Sequence, residues 1–517
     1  MKPRPRSIGE LEPHRKALAS FAVACALASA LVLSACPRDD ALQATITQLN
    51  SSDAREAAIE QLLLAVRKAR PARKEAITTR VIHALSEAYR DDTHRAKIVD
   101  ALAAINDARG AEVLISAMLA ADRGEEYYPA AIRATRSLGT LKLKSAVAPL
   151  LVGLAKWQQE GRSRAQPAYE LALLESLGAI GDGRAAPALL STLSRPLDRS
   201  TYEISRAAIA ALGTLRAQSA IPTLIAALHS QRSGTQLAEV ARAALCQIGP
   251  STVPALRETA RSPKVPKKLR EKALLLLGDL GVVLKASDLA DDASAEERIA
   301  WARTTLQRKP TRRALQRLLT ISRRSELALS TRIAAIEALG IYGDPTTAAA
   351  LTADLLQTPT ASATLRAATT LAVFRSAEAQ NQAQVKLLSA NANTVAGRHR
   401  KRWQVSLRCG KKPACFAALI SNTDWRSAER AALALSRLGH RPVTVALAKR
   451  LATGNSHPQV EGAIVVALER LTPDAAKFKA QVARTLDQAL QSKIRPKNHS
   501  VDSRIRCLSA RLAGWPK

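Results

Sequence analysis

EISRAAIAALGTLRAQSAIPTLIAALH, residues 203–229, carries two apolar stripes at helical spacing. Ile204, Ala208, Ala211 and Leu212 share one face of a first helix. Gly213 then stands where a left-handed C-cap would close it. Ala220, Ile221, Leu224, Ile225 and Leu228 form the second stripe. Pro222 falls in its first turn, where a missing N–H costs little. Two antiparallel helices this short cannot cover both of their apolar faces, so such a unit must be stacked on others.

The phrase recurs. Leu-Gly or Ile-Gly follows a helical stripe at Gly139, Gly178, Gly213, Gly249, Gly278, Gly340 and Gly439. The last two intervals read as two and three periods, and Ala103-Ala104-Ile105-Asn106 is a copy with Asn in place of Gly. Arg-Ala-Ala precedes the glycine position at Arg206, Arg242, Arg366 and Arg430, and Gly-Asp recurs at Gly181-Asp182, Gly278-Asp279 and Gly343-Asp344. Ala and Leu dominate the apolar residues and aromatics make up only 3%. That composition favours closely packed helices over a β-rich core.

The repeated phrase resembles the HEAT repeat and its relative, the phycobilisome-lyase-type HEAT repeat. The resemblance covers most of residues 50–490 and blurs near 286–310 and 376–425. It implies an all-α fold, an α-solenoid of stacked antiparallel helix pairs, in which such Asp and Arg residues link neighbouring repeats. The expected organisation is a leader at 1–35, a tether at 36–48 and a solenoid at 49–390. A basic interruption at 391–416, further repeats at 417–490, and a basic tail at 491–517 ending in a capping helix complete it.

The leader has its own grammar. Lys2, Arg4, Arg6, Arg15 and Lys16 precede an uncharged apolar run from Ala17 to Leu33. Leu33-Ser34-Ala35-Cys36 follows. It resembles the lipobox of bacterial lipoproteins, in which the Cys36 thiol takes the lipid. An uncleaved anchor and an ordinary secretory signal are the competing readings. Lipidation makes the expected location the cell envelope, and Pro37 in place of Asp points to the outer membrane, facing the periplasm.

Cys25 lies in the leader, which leaves Cys246, Cys409, Cys415 and Cys507. Cys409-Gly410-Lys411-Lys412-Pro413-Ala414-Cys415 is a turn that a local disulfide closes in an oxidising compartment. A metal site there would have only His399 as a further ligand, and a redox pair would ordinarily be Cys-x-x-Cys. Cys246 and Cys507 read as buried helix residues, Cys507 as a free thiol.

The net charge is +33, of which the first 35 residues hold +3, leaving +30 (33 minus 3). Such a field favours anionic partners, unless the cations only solvate a long helical surface. The densest positive segment contains Arg398, Arg400, Lys401, Arg402, Trp403, Lys411 and Lys412. It reads either as a grip for anionic groups with Trp403 as anchor, or as a solvated loop with the Trp packed beneath. Further basic stretches are Lys264 to Lys272 and Arg308 to Arg324. No catalytic, cofactor-binding or metal-binding motif emerges; the eight histidines are scattered. The first expectation is therefore an envelope scaffold that binds protein partners without catalysis. The second is a binder of anionic lipid or envelope polymer, nucleic acid being disfavoured by export. The third, by analogy alone, is a lyase-type enzyme.

Overall fold

The computed structural model describes residues 39–514, apart from 91–93, 160–166, 196–200, 230–234, 309–310, 358–361, 389–394, 455–456, 473–477 and 493–498. Among the described residues every regular element is an α- or 3₁₀-helix, arranged as an α-solenoid. No helix among them is long and apolar enough to cross a membrane.

The repeat unit matches its sequence grammar with one correction. Helix Tyr202–Thr214 is followed by a 3₁₀ turn, Gln218–Ala220, and helix Ile221–Ala227. Ile204, Ala208, Ala211 and Leu212 are buried on the first helix, and Ile221, Leu224 and Ile225 on the second. Pro222 lies in the first turn, as the missing donor requires. Gly213, however, is not the left-handed cap; it is buried within the helix, and Arg216 takes the positive φ instead. A Cβ on Gly213 would stand 2.6 Å from Cα of Ala244 on the next repeat. Gly139, Gly178, Gly278 and Gly340 meet Ser176, Ala211, Thr304 and Ala372 in the same close way. The recurring glycine lets first helices of successive repeats approach to backbone contact. Gly249 and Gly439 do have positive φ and close their helices as expected.

The chain forms two compact units, residues 1–176 and 177–517. In the first, helices Arg55–Lys68, Arg95–Ile105 and Tyr128–Leu141 stack in series, and Tyr128–Leu141 also packs extensively on Ala111–Leu119. The tether expected at 36–48 is in its described part a helix, Asp39–Gln48, packed on Arg55–Lys68 with Leu42 and Leu49 buried. Residues 36–38 and the leader lie outside the described residues.

In the second unit the first helices form a stack of their own through Thr235–Ile248, Lys267–Asp279, Ala295–Arg308, Leu329–Tyr342, Ala363–Ser376, Val395–Cys409, Trp425–Leu438 and Pro458–Leu471. The basic interruption at 391–416 thus supplies a regular member of the series. The final helix, His499–Ala513, covers the end of the stack and also packs extensively on Thr235–Ile248, so this unit closes on itself. Polar contacts bridge the closure. Ser503 Oγ donates to Glu239 (2.5 Å), Arg511 to the Asp279 carbonyl (3.1 Å), and Arg470 to the Leu306 carbonyl (2.9 Å). A disulfide joins Cys246 to Cys507 across 261 residues. The expectation of a free Cys507 is therefore corrected: both cysteines are buried helix residues, and the closure brings them together.

Candidate functional site

The basic segment singled out from the sequence splits into an outer and an inner set. On helix Val395–Cys409 the exposed stripe is Arg400, Lys401, Gln404 and Arg408; Lys411 and Lys412 extend it beyond the helix end. Lys401 reaches to 3.9 Å from Asp424. Arg402 and Trp403 face inward, 0% and 3% exposed, so neither belongs to a surface patch. The helical period explains the split, since 402, 405, 406 and 409 fall on the buried face. The side chain of Arg398 lies outside the described residues, as does Cys36. Cys409 and Cys415 are joined by a disulfide, and Gly410 between them adopts a positive φ of 55°.

Arg402 leads into a buried charge network that sequence reading missed. Glu429, 2% exposed, accepts from Arg375 (2.9 and 2.6 Å) and from Arg402 Nε (2.6 Å). Arg402 also stacks over Trp425, which is contacted by the Arg426 guanidinium as well and lies parallel to the His457 ring. Arg430 donates to Ser406 Oγ and to the carbonyls of Arg375 and Ala377. Arg437 donates to the carbonyls of Arg375 and Ser376. Burial pushes the Arg430 pKa down to about 10, and that of Arg437 well below the ordinary arginine value with Arg430 and Arg470 adding to the effect. Arg430 remains protonated at neutral pH. One signal for this network does exist in the sequence: Arg430 and Arg437 share the i, i+3, i+7 stripe with buried Leu433.

These contacts account for part of the large positive charge. Arg55 donates to the Leu49 carbonyl, Arg95 to Tyr89, Arg270 to Ser262, Arg332 to Ser322 and Arg470 to Leu306. Each acceptor lies in or just past the last turn of a helix, where carbonyls lack partners and the helix dipole is negative. A guanidinium there satisfies a helix end without needing a carboxylate.

The inter-repeat Asp–Arg link is formed by Arg242 and Asp279. Arg242 of an Arg-Ala-Ala run donates to Asp279 of the next Gly-Asp step, at 2.7 Å through Nε. Asp182 and Asp344 cap the turns that they begin, accepting from Arg184 and Thr347 backbone N–H groups. Arg206 pairs within its own helix with Glu203.

Residues 206–230 match the family model described as PBS lyase HEAT-like repeat. The chain contains a HEAT-like repeat. The match begins at Arg206 of the first Arg-Ala-Ala run and ends just past the second helix of the unit described above. No curated protein matches the chain. HEAT-like repeats generally mediate protein interactions. In the first unit two surface troughs adjoin one helix. That helix, Pro71–Ala88, stands between them, and they measure about 710 and 430 Å³. His83, Glu87 and Arg90, all exposed, line both. Helix Asp39–Gln48 borders the larger trough and helix Ala111–Leu119 the smaller. Among the described residues no three His, Cys, Asp or Glu side chains gather as a metal site requires.

Proposed function

We propose that this chain is a scaffold of the bacterial cell envelope, lipid-anchored through Cys36, that binds protein partners and performs no catalysis. The observation that carries the reading is the pair of adjoining troughs along helix Pro71–Ala88, in a stack of HEAT-like pairs. Such a stack presents an extended surface instead of an enclosed pocket, which suits a polypeptide partner. Two disulfides among the described residues are in keeping with an oxidising compartment. A photo-crosslinking side chain placed at position 87 should capture one reproducible protein from intact membranes. The same group at position 226, which lines neither trough, should not. Absence of any product from position 87, or identical products from both, would refute the scaffold reading. Labelled palmitate entering the wild type but not C36A tests the anchor separately.

The exposed stripe of Arg400, Lys401, Arg408, Lys411 and Lys412 favours a second reading, contact with anionic lipid or envelope polymer. Flotation with phosphatidylglycerol vesicles should then fall as salt rises and should be lost in K401E/K411E/K412E, because exposed charges are screened.

A further inference from the structure

Helices Asp39–Gln48 and Arg55–Lys68 are joined by a short link and pack on each other, so the start of the first lies beside the end of the second. An apolar groove of about 220 Å³ runs between them, lined by Ala41, Leu42, Leu62, Leu64 and Ala65 together with Lys68. Leu64 is 47% exposed there. Beyond the groove the chain turns into helix Pro71–Ala88, and residues 67–74 hold five cations and no carboxylate: Arg67, Lys68, Arg70, Arg73 and Lys74, all exposed. The side chains of Arg67, Lys68, Arg73 and Lys74 make no hydrogen bond or ion pair among the described residues. Glu56 and Glu75, on the same two helices, are taken by Lys97 and Arg109. Glu60 lies two turns back from Arg67. Asp39 and Asp40 stand in the first turn of their own helix, where its positive end favours them.

Arg67 and Lys68 close a helix, as the dipole prefers. Arg73 and Lys74 do the opposite: they open helix Pro71–Ala88, whose positive end opposes them. Local preference does not account for these two cations, and a negative partner outside the chain does. Cys36 stands three residues before Asp39, so its Cα lies within roughly 11 Å of the helix start. A lipid there would tether this end of the unit yet leave it free to turn. We propose that this end of the first unit docks on a bilayer of anionic phospholipid. Arg67, Lys68, Arg73 and Lys74 meet the headgroup phosphates, and Leu64 enters the interface beside the groove. The inference rests on the reading of Cys36 as the lipid site and adds how the anchored unit is turned. On helix Pro71–Ala88 the residues that line the troughs run from Thr79 to Ala88, toward its other end, so docking leaves the troughs open to a partner.

A fluorescent, environment-sensitive side chain placed at position 64 of the full-length chain reports docking. With vesicles containing phosphatidylglycerol its emission should shift to the blue, and the shift should fall with added salt or with phosphatidylcholine alone, because exposed charges are screened. The same group at position 87, in the troughs, should stay in water. R67E/K68E/R73E/K74E changes side chains that hold nothing in the fold, so folding should persist by circular dichroism while the shift is lost. In C36A, which has no anchor, the shift should need more lipid, and the four reversals should raise that amount about tenfold or more. If C36A and wild type need the same amount, the anchor reading fails and the docking surface stands. No shift at position 64 with phosphatidylglycerol, an equal shift with phosphatidylcholine or at position 87, or a shift that survives the four reversals would overturn the docking surface. So would a shift lost instead in K401E/K411E/K412E, since the stripe on helix Val395–Cys409 would then be the lipid contact.

Discussion

In residues 39–176 each helix pair makes its extensive contacts with pairs next to it in sequence, whereas in residues 177–514 the last helix returns to a pair 261 residues earlier at the disulfide. Both stretches use the same grammar of Ala- and Leu-rich helices. The open stretch places its ion pairs at the surface, as between Arg136 and Glu175, both more than half exposed. The closed stretch has exposed pairs too, such as Arg206 with Glu203, but it also buries some between successive repeats, as between Glu429 and its two arginines. Local stacking needs only a repeated apolar stripe. Closure brings distant faces together, and there Ser503 finds Glu239 and Arg511 the Asp279 carbonyl.

Removing the closing disulfide should have the largest effect. Without Cys507, a loop of 261 residues is no longer constrained in the unfolded chain. C507S should cost about 5 to 6 kcal/mol on the chain-entropy view, and C415S, which opens only the short turn, about 2. Guanidinium denaturation without reductant checks both. Hydrogen exchange in C507S should rise in residues 235–248 and stay unchanged in 55–141. Equal costs for the two variants would mean that closure adds nothing beyond packing.

Charge burial comes next. E429A leaves Arg375 and Arg402 inside without a carboxylate and should cost about 3–5 kcal/mol. E175Q in the open stretch should cost about 0–1 kcal/mol, because its pair is solvated. Urea melts of the two variants test the contrast, which breaks if E429A falls within the range of E175Q.

Backbone contact between repeats should follow. G340V sets a Cβ 2.7 Å from Cα of Ala372 and should cost about 1–3 kcal/mol by thermal melt. G183A is the control, since nothing lies within 4 Å of its added carbon and the change should be near neutral. A smaller effect belongs to a helix cap. Asp344 accepts from Thr346 and Thr347 at the start of helix Pro345–Gln357. Burial pushes its carboxyl pKa up, but these hydrogen bonds outweigh burial and hold it below the ordinary value. Its contribution is therefore complete above the unfolded pKa near about 4 and is lost as pH falls through the lower folded pKa. D344A should cost about 1 kcal/mol at neutral pH. That difference from wild type should shrink in melts below about pH 4.

The repeat, its helical pairs and their stacking were legible because each rests on residues within one period of one another. Ile204, Ala208 and Leu212 announce a buried face whatever lies elsewhere in the chain. The recurring glycine was legible in position but misread in role at Gly213. A left-handed cap and a close backbone approach both select glycine, and only the neighbouring helix distinguishes them. Arg402 and Trp403 were grouped with exposed lysines because they are adjacent in sequence; helix rotation then turned them inward.

The sequence by itself determined a solenoid of Ala- and Leu-rich helix pairs, since short-range periodicity alone fixes which faces must be covered. Only the tertiary structure decided that the second unit closes, that Cys246 finds Cys507, and that arginines serve helix ends inside the molecule. Those outcomes depend on small rotations accumulated over many repeats, and no local pattern records the sum.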